Sequence, residues 1–327
     1  MISQPEFAAA AALLRQHTRV LVACHESPDG DALGSLIGVG RSLQDAGWDV
    51  AFWAPGDAPV PADYLWLGLS DVARTPPSDA SERVLLAVDC GSAERLGSDG
   101  PATVMSAVAS INLDHHGDNT RFAGLNLVDA TSPCATILVL SLLRELGLPI
   151  SLEVAEALYV GVVTDTGRFM YANATAESHR VAAELIELGV DPAEIFRRLY
   201  EGKPAARVKL MARILSSLEL RLDGRLAVAY VTIDDLDATG AGEADSEGVI
   251  DFLRSIEGVE VAALIRAPRS GEGKLHKCSL RSAQPDIDVA RIAHVGGGGG
   301  HTLAAGFAVD GSAADVVTLI ERELSRA

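Results

Sequence analysis

Three short strand-like runs in this chain each stop on an acid or an imidazole. Arg19–Cys24 (RVLVAC) runs into His25, Arg83–Val88 (RVLLAV) into Asp89, and Ser110–Leu113 (SINL) into Asp114. The first two, continuous apolar runs with no polar alternation, read as strands buried on both faces, and the third reads as another strand. Val50–Trp53 is a further short strand. Between and after these runs lie helical patterns: Ala32–Ala46 closed by Gly47, Pro133–Leu146 closed by Gly147, then Leu152–Val163, Ala176–Leu188 and Pro192–Tyr200. Strands buried on both faces and separated by helices imply an α/β fold with a doubly wound parallel sheet. In such sheets the ligand crevice lies beyond the carboxyl ends of the strands. Polar clusters far apart in sequence therefore meet there.

A length of 327 residues exceeds what one core comfortably organises. Strand signals resume at 226–233 (LAVAYVTI), 259–266 (VEVAALIR) and 276–281 (HKCSLR), with helical patterns at Glu247–Ile256, Ile287–Ala293 and Ala313–Arg326. The expected division is a first domain over 1–205, a connector over 206–224 and a smaller α/β domain with a mixed sheet over 225–327, with the active-site cleft between the two domains.

The formal net charge of −18 argues against a protein that holds long duplex DNA through nonspecific phosphate contacts. It leaves room for small phosphorylated substrates, whose charge bound cations reverse locally. No apolar run reaches membrane-spanning length, and Glu6 ahead of the Ala-rich start, with no basic residue before it, argues against a secretory leader. A cytoplasmic location is expected. The cysteines Cys24, Cys90, Cys134 and Cys278 form no CxxC pair and read as buried, reduced thiols. Cys24 and Cys90 adjoin candidate ligands, but a carboxylate-rich set favours hard cations over thiolate-loving ones.

The chemistry concentrates in four clusters. His25–Ser35 (HESPDGDALGS) places His25, Asp29 and Asp31 around Pro28 and Gly30, which force a tight turn; Asp31 alternatively reads as the cap of the next helix. Asp89 follows a strand, Asp114-His115-His116 follow another, and Asp165 lies in GVVTDTGRF. The supply of carboxylates and imidazoles suits two divalent cations roughly 3.5–4 Å apart, sharing a carboxylate and a water. No serine triad or redox pair competes with that reading.

HESPDGDALGS (25–35), VDCGS (88–92), LDHHGDN (113–119) and GVVTDTGRF (161–169) resemble, in order and spacing, the motifs of the DHH phosphoesterases. VGGGGGHTLAAGF (295–307) and SLRS (279–282) resemble the glycine-rich motif region of their associated C-terminal domain. Length and layout are most similar to the nanoRNase/pAp phosphatase branch. RecJ-type exonucleases share the core but carry further domains, and family II pyrophosphatases lack the glycine-rich motif. The resemblance implies that His25, Asp29 and Asp89 hold one metal. Asp31, Asp89, His115 and Asp165 then hold the other, the metals being two Mn²⁺ or Mg²⁺ ions bridged by Asp89. It implies that Asp114 orients its neighbours, so that Asp89, Asp114, His115 and His116 are the catalytic group. His116, Arg281, Gly298, Gly299, Gly300 and His301 would bind substrate. Met170 departs from the family pattern, where a polar or basic residue is common; Arg168 is the nearby alternative charge.

Residues 261–281 carry Arg266, Arg269, Lys274, Lys277 and Arg281 against Glu272, a basic patch in an acidic chain. The planar fork of Arg281 suits a phosphate. The glycines at 296–300 allow backbone N–H groups to approach an anion, with a helix N-terminus expected after them. Aromatics make up only 5% of the chain, which favours very short oligonucleotides over a long single-strand track. Phe169 and Tyr171 are open to two readings, base stacking and core packing. The expected activity is release of mononucleotides from short RNA or DNA oligonucleotides, together with 3′-phosphatase action on pAp. The alternatives are a cyclic di-AMP or pApA phosphodiesterase and a nucleotide-binding regulatory module without catalysis. Homodimerisation is an expectation by analogy alone.

Overall fold

A computed structural model describes residues 2–57, 59–267, 275–284 and 286–326. The chain divides into two compact units, Met1–Gly202 and Lys203–Ala327.

The first unit opens with α1 (Gln4–Gln16), β1 (Arg19–Ala23), α2 (Gly30–Asp45), β2 (Asp49–Trp53) and β3 (Val72–Ala73). It continues with β4 (Val84–Val88), α3 (Gly100–Ser106), β5 (Ala109–Asp114) and β6 (Leu125–Val128), then α4 (Ala135–Leu146), α5 (Leu152–Asp165), α6 (Ala176–Glu187) and α7 (Pro192–Tyr200). Its six strands are all parallel, in the order β3-β2-β1-β4-β5-β6. β1 and β4 are neighbours although the chain leaves β1 in the opposite direction, so their carboxyl ends frame the topological switch point. β4 (VLLAV) is buried along its whole length, which explains its unbroken apolar run. One face of the sheet packs with α1, α2, α4 and α5 in the main core; the other carries a smaller cluster of Leu21, Trp53, Leu85 and Leu96.

The second unit contains α8 (Ala205–Ser216), β7 (Glu219–Arg221), β8 (Leu226–Val231), α9 (Ile233–Thr239), α10 (Val249–Arg254), β9 (Val261–Arg266), β10 (Leu275–Ser282), α11 (Val289–Val295), β11 (Gly299–His301), β12 (Ala304–Asp310) and α12 (Ala313–Leu324). The sheet is mixed, β11-β12-β10-β9-β8-β7, with only β8 and β9 parallel. Residues 206–224, expected as a connector, are structured here: Leu210 and Ile214 of α8 are fully buried against one face of this sheet, and β7 is its edge strand. The other face packs on α11 and α12. The glycine run differs from expectation: it follows the C-terminus of α11 and feeds β11, so no helix starts from it. Arg269, Glu272 and Lys274 of the basic patch lie outside the described residues. Among the described residues no helix is long and apolar enough to cross a membrane.

Candidate active site

The chain leaves β1 at Ala23 and turns into α2 through Ser27, which holds a left-handed φ of 53°. Asp29 caps α2, its Oδ1 accepting the Asp31 and Ala32 N–H groups at 3.0 Å each. The cap is therefore Asp29 and not Asp31, because the helix begins at Gly30. Asp31 sits in the first turn and is 1% exposed. Its carboxylate accepts the Ala135 N–H (2.6 Å) and the Thr136 N–H (3.0 Å), the first free amides of α4. Gly161 of α5 makes room for this: a Cβ there would stand 2.7 Å from Asp31 Oδ1 and 2.3 Å from Thr136.

Asp89 follows β4 across the switch point, with φ 50° and 2% exposure. His25 Nε2 lies 3.6 Å from Asp89 Oδ2, and His115 Nε2 lies 3.5 Å from Asp89 Oδ1. The same His115 nitrogen is 3.8 Å from Asp31 Oδ2 and 3.8 Å from Asp165 Oδ2. His25 Nδ1 donates to the Glu26 carbonyl at 2.7 Å. A carbonyl only accepts, so in the neutral ring Nε2 keeps a free lone pair towards Asp89. Three donor groups result, each with ligand atoms within 4.8 Å of one another: His25, Asp29 and Asp89; Asp31, His115 and Asp165; and Asp89, His115 and His116. Four sequence motifs thus converge at the ends of β1, β4 and β5 and of α5.

Asp114 is fully buried and accepts from His116 Nδ1 at 2.8 Å and from Asn119 Nδ2 at 2.6 Å. Asn119 also donates to Asn112 Oδ1 (2.8 Å) and the Cys90 carbonyl (3.2 Å). Asn112, Asn119, Asn173 and the 132–136 segment carry no acid or imidazole, so the sequence reading passed over them. The only signals were the Asn residues flanking Asp114-His115-His116.

Among the described residues, none of Asp29, Asp31, Asp89 and Asp165 pairs with a lysine or arginine. Burial and the neighbouring carboxylates push Asp31 well above the usual carboxylate range. Burial pushes Asp165 up to about 6. Burial opposes protonation of His115, but Asp31, Asp89 and Asp165 outweigh it and hold the imidazolium up to about 9. Asp89 Oδ1 is buried and accepts no hydrogen bond among the described residues. A buried carboxylate oxygen without a donor, in a crowd of like charges, fits bound cations. The neighbouring thiols do not compete. All four cysteines are buried and free, and burial raises Cys90 to about 12.

In the second unit, Arg281 lies on β10 with Nη1 donating to the Leu280 carbonyl at 3.0 Å. Lys277, Ser279 and Arg281 alternate onto one face, and Arg266 stands opposite Lys277 in register. Arg266 donates to Ser246 (3.0 Å) and Ser279 (2.8 Å). Gly298 and Gly300 are crowded by β12 itself: a Cβ would come within 2.1 Å of the Gly306 carbonyl and 2.5 Å of the Ala304 carbonyl, respectively. Packing alone demands glycine at both. Gly299 and His301 pair with Gly306 and Ala304 in the β11–β12 ladder.

The model of the DHH family N-terminal domain matches residues 19–162, and that of the DHHA1 domain matches residues 223–326. A bifunctional oligoribonuclease and PAP phosphatase NrnA of Thermus thermophilus is 34% identical over 321 residues, covering 94% of this chain and 91% of the relative. The chain belongs to the DHH family of phosphoesterases. Within the family it is of the NrnA type: a bifunctional oligoribonuclease and PAP phosphatase NrnA of Bacillus subtilis is 27% identical, with 87% of each chain covered. Among solved structures, an exopolyphosphatase-related protein from Bacteroides fragilis superposes with a TM-score of 0.92 at 26% identity, covering 100% of this chain and 97% of that one. An exonuclease RecJ bound to manganese shares the fold, with a TM-score of 0.55 at 19% identity, covering 98% of this chain and 94% of that one. As a DHH phosphoesterase the chain is a hydrolase of phosphoester bonds, and every residue of the convergent cluster falls in the DHH-matched segment except Asp165, three residues beyond it.

Proposed function

We propose that the chain is a two-metal phosphoesterase that hydrolyses short oligonucleotides to mononucleotides and removes the 3′-phosphate of pAp. The observation that carries this reading is Asp89: buried, in a left-handed backbone conformation, between His25 on one side and His115 on the other, with Oδ1 unmet by any donor among the described residues. The similarity to relatives bearing both activities in their names supports the substrate class.

In this reading His25, Asp29 and Asp89 hold one divalent cation and Asp31, Asp89, His115 and Asp165 the other. When bound, such a pair lowers the pKa of water and neutralises phosphoryl charge. Manganese is the preferred ion, with magnesium as the alternative. The chain's own residues orient the reaction. The α4 amides fix both oxygens of Asp31. Asn119 fixes Asp114, and Asp114 fixes His116, raising its affinity for a proton. His116 then keeps an Nε2–H to present to a phosphoryl oxygen. In the second unit, Arg281 offers its guanidinium to a substrate phosphate, while Gly298, Gly299, Gly300 and His301 line the same binding region.

The test is Mn²⁺-dependent hydrolysis of pApA, a short RNA, a long RNA, pAp and cyclic di-AMP side by side. Release of AMP from pApA and the short RNA, together with phosphate from pAp, is expected. Preference for cyclic di-AMP would replace the substrate assignment, and metal binding without hydrolysis of any of them would replace it with a regulatory role.

A further inference from the structure

Immediately after Asp165 the backbone does something costly. Gly167, Arg168 and Phe169 take φ values of 55°, 62° and 64°, three successive left-handed residues of which two are not glycine. L-residues resist that region, and runs of it persist only where the surroundings impose them. Thr166 imposes this one. It is fully buried, its Oγ1 donates to the Val162 carbonyl (2.6 Å) and accepts the Phe169 N–H (3.2 Å), and its carbonyl takes the N–H groups of Met170 (3.1 Å) and Tyr171 (3.0 Å). The loop then returns to its starting point. Asn173 Nδ2 donates to the Pro133 carbonyl (3.0 Å), the Asp165 carbonyl (3.0 Å) and Asp165 Oδ2 (3.4 Å).

The turn sorts its side chains. Arg168 lies over the Tyr200 ring, 5.1 Å from its centroid. Phe169 stacks on His179 at 4.7 Å and 25°, which commits it to packing. Tyr171 is different. One face of its ring lies on Gly167, where a Cβ would come within 2.5 Å of three ring atoms, and the residue is nevertheless 50% exposed. Phe196, the other markedly exposed aromatic among the described residues of this unit, pairs with Tyr200 at 5.2 Å. Tyr171 has no ring partner among the described residues. Beside it Met170 is 81% exposed, a polarizable side chain also suited to an aromatic face.

The strain therefore holds one flat ring against a glycine, with half of the residue left exposed. The ring is two residues from Asn173, the side chain that grips a carboxylate of the acid cluster, hence within about 7 Å of chain. We infer that Tyr171, backed by Gly167 and flanked by Met170, is the resting surface for a nucleobase of the substrate, and so the residue that makes this phosphoesterase prefer nucleotides to other phosphate esters. A half-exposed aromatic pre-set in orientation stacks on any base without reading its edge. The inference rests on the nucleotide-hydrolase reading above and adds the group that recognises the base.

The test compares pAp with its abasic counterpart, tetrahydrofuran 3,5-bisphosphate, in wild type, Tyr171→Ala, Tyr171→Phe and Tyr171→Trp. The preference for pAp over the abasic compound, as a ratio of kcat/KM, is expected to fall about tenfold in Tyr171→Ala, through KM, and to survive in the other two variants. A second readout is direct: quenching of 2-aminopurine riboside 3′,5′-bisphosphate fluorescence on binding should weaken in Tyr171→Ala. An unchanged ratio and unchanged quenching in that variant, with wild type active on pAp, would overturn the base rest and leave the enzymatic reading intact. Wild type inactive on pAp and pApA alike would overturn the enzymatic reading and the base rest with it.

Discussion

The two ends of the first unit's sheet carry similar residues to opposite effect. At the amino end of the strands, Asp49, Asp79 and Glu82 are met by arginines. Arg83, only 7% exposed, takes both oxygens of Asp79 at 2.9 Å and reaches Asp49 at 3.0 Å; Arg19 donates to Asp79 at 2.6 Å and to Asp49 and Glu82. Hydrogen bonds from Arg83 hold Asp49 and Asp79 below the usual carboxylate range. At the carboxyl end, burial and the neighbouring carboxylates push Asp31 and Asp165 the other way, and the His115 imidazole only partly offsets them. The first arrangement is complete in itself. The second is a set of buried like charges that suits cations from outside, and that difference separates a structural latch from the proposed catalytic site.

The largest expected effect breaks the second arrangement. Asp89→Ala should lower kcat by more than about 10³-fold and Mn²⁺ affinity by more than about 100-fold, as read by turnover and by calorimetric titration. Near-normal turnover in that variant would refute the shared-carboxylate site. Because the like charges repel when metal is absent, the same variant should melt at or above the wild-type temperature in EDTA.

Proton linkage sharpens the contrast. His115 titrates at about 9 in the folded, metal-free protein, against 6.5 as its ordinary value. Its contribution to stability is fully present below pH 6.5 and is lost as pH rises through 9. Melting in EDTA should therefore move to lower temperature across that interval. With saturating Mn²⁺ the trend should flatten or reverse, since cations displace the proton. Identical pH trends with and without metal would place His115 outside the metal site.

A smaller effect concerns the support of the site. Asn119→Ala removes three hydrogen bonds that tie Asp114, Asn112 and the Cys90 carbonyl together. A loss of about 10–100-fold in kcat/KM is expected, with the melting temperature in Mn²⁺ changed little. The smallest effect on activity belongs to the latch. Arg83→Ala should cost about 2 kcal/mol of stability, seen in urea unfolding, and leave turnover at low temperature as it was. If Arg83→Ala instead silenced the enzyme while still folded, the separation of the two ends would fail.

The parallel sheet, the strands ending at His25, Asp89 and Asp114, and the convergence of the acids were legible in the sequence, because burial on both faces leaves unbroken apolar runs and the polar residue after each run marks the strand end. What the sequence left open is instructive residue by residue. It offered Asp31 as a helix cap, but the cap is Asp29, and Asp31 is instead held by α4 amides more than a hundred residues away. It read the glycine run as an anion cradle at a helix start; packing on β12 is what excludes a side chain at Gly298 and Gly300, and a strand follows. It left Phe169 and Tyr171 equivalent, and one buried threonine separates them. Pattern and residue type determined which groups could act, since periodicity and charge are properties of the chain. Only the tertiary structure decided which group each one faces, because hydrogen bonds such as those from the α4 amides to Asp31 and from Asn173 to the Pro133 carbonyl join residues that no local segment contains.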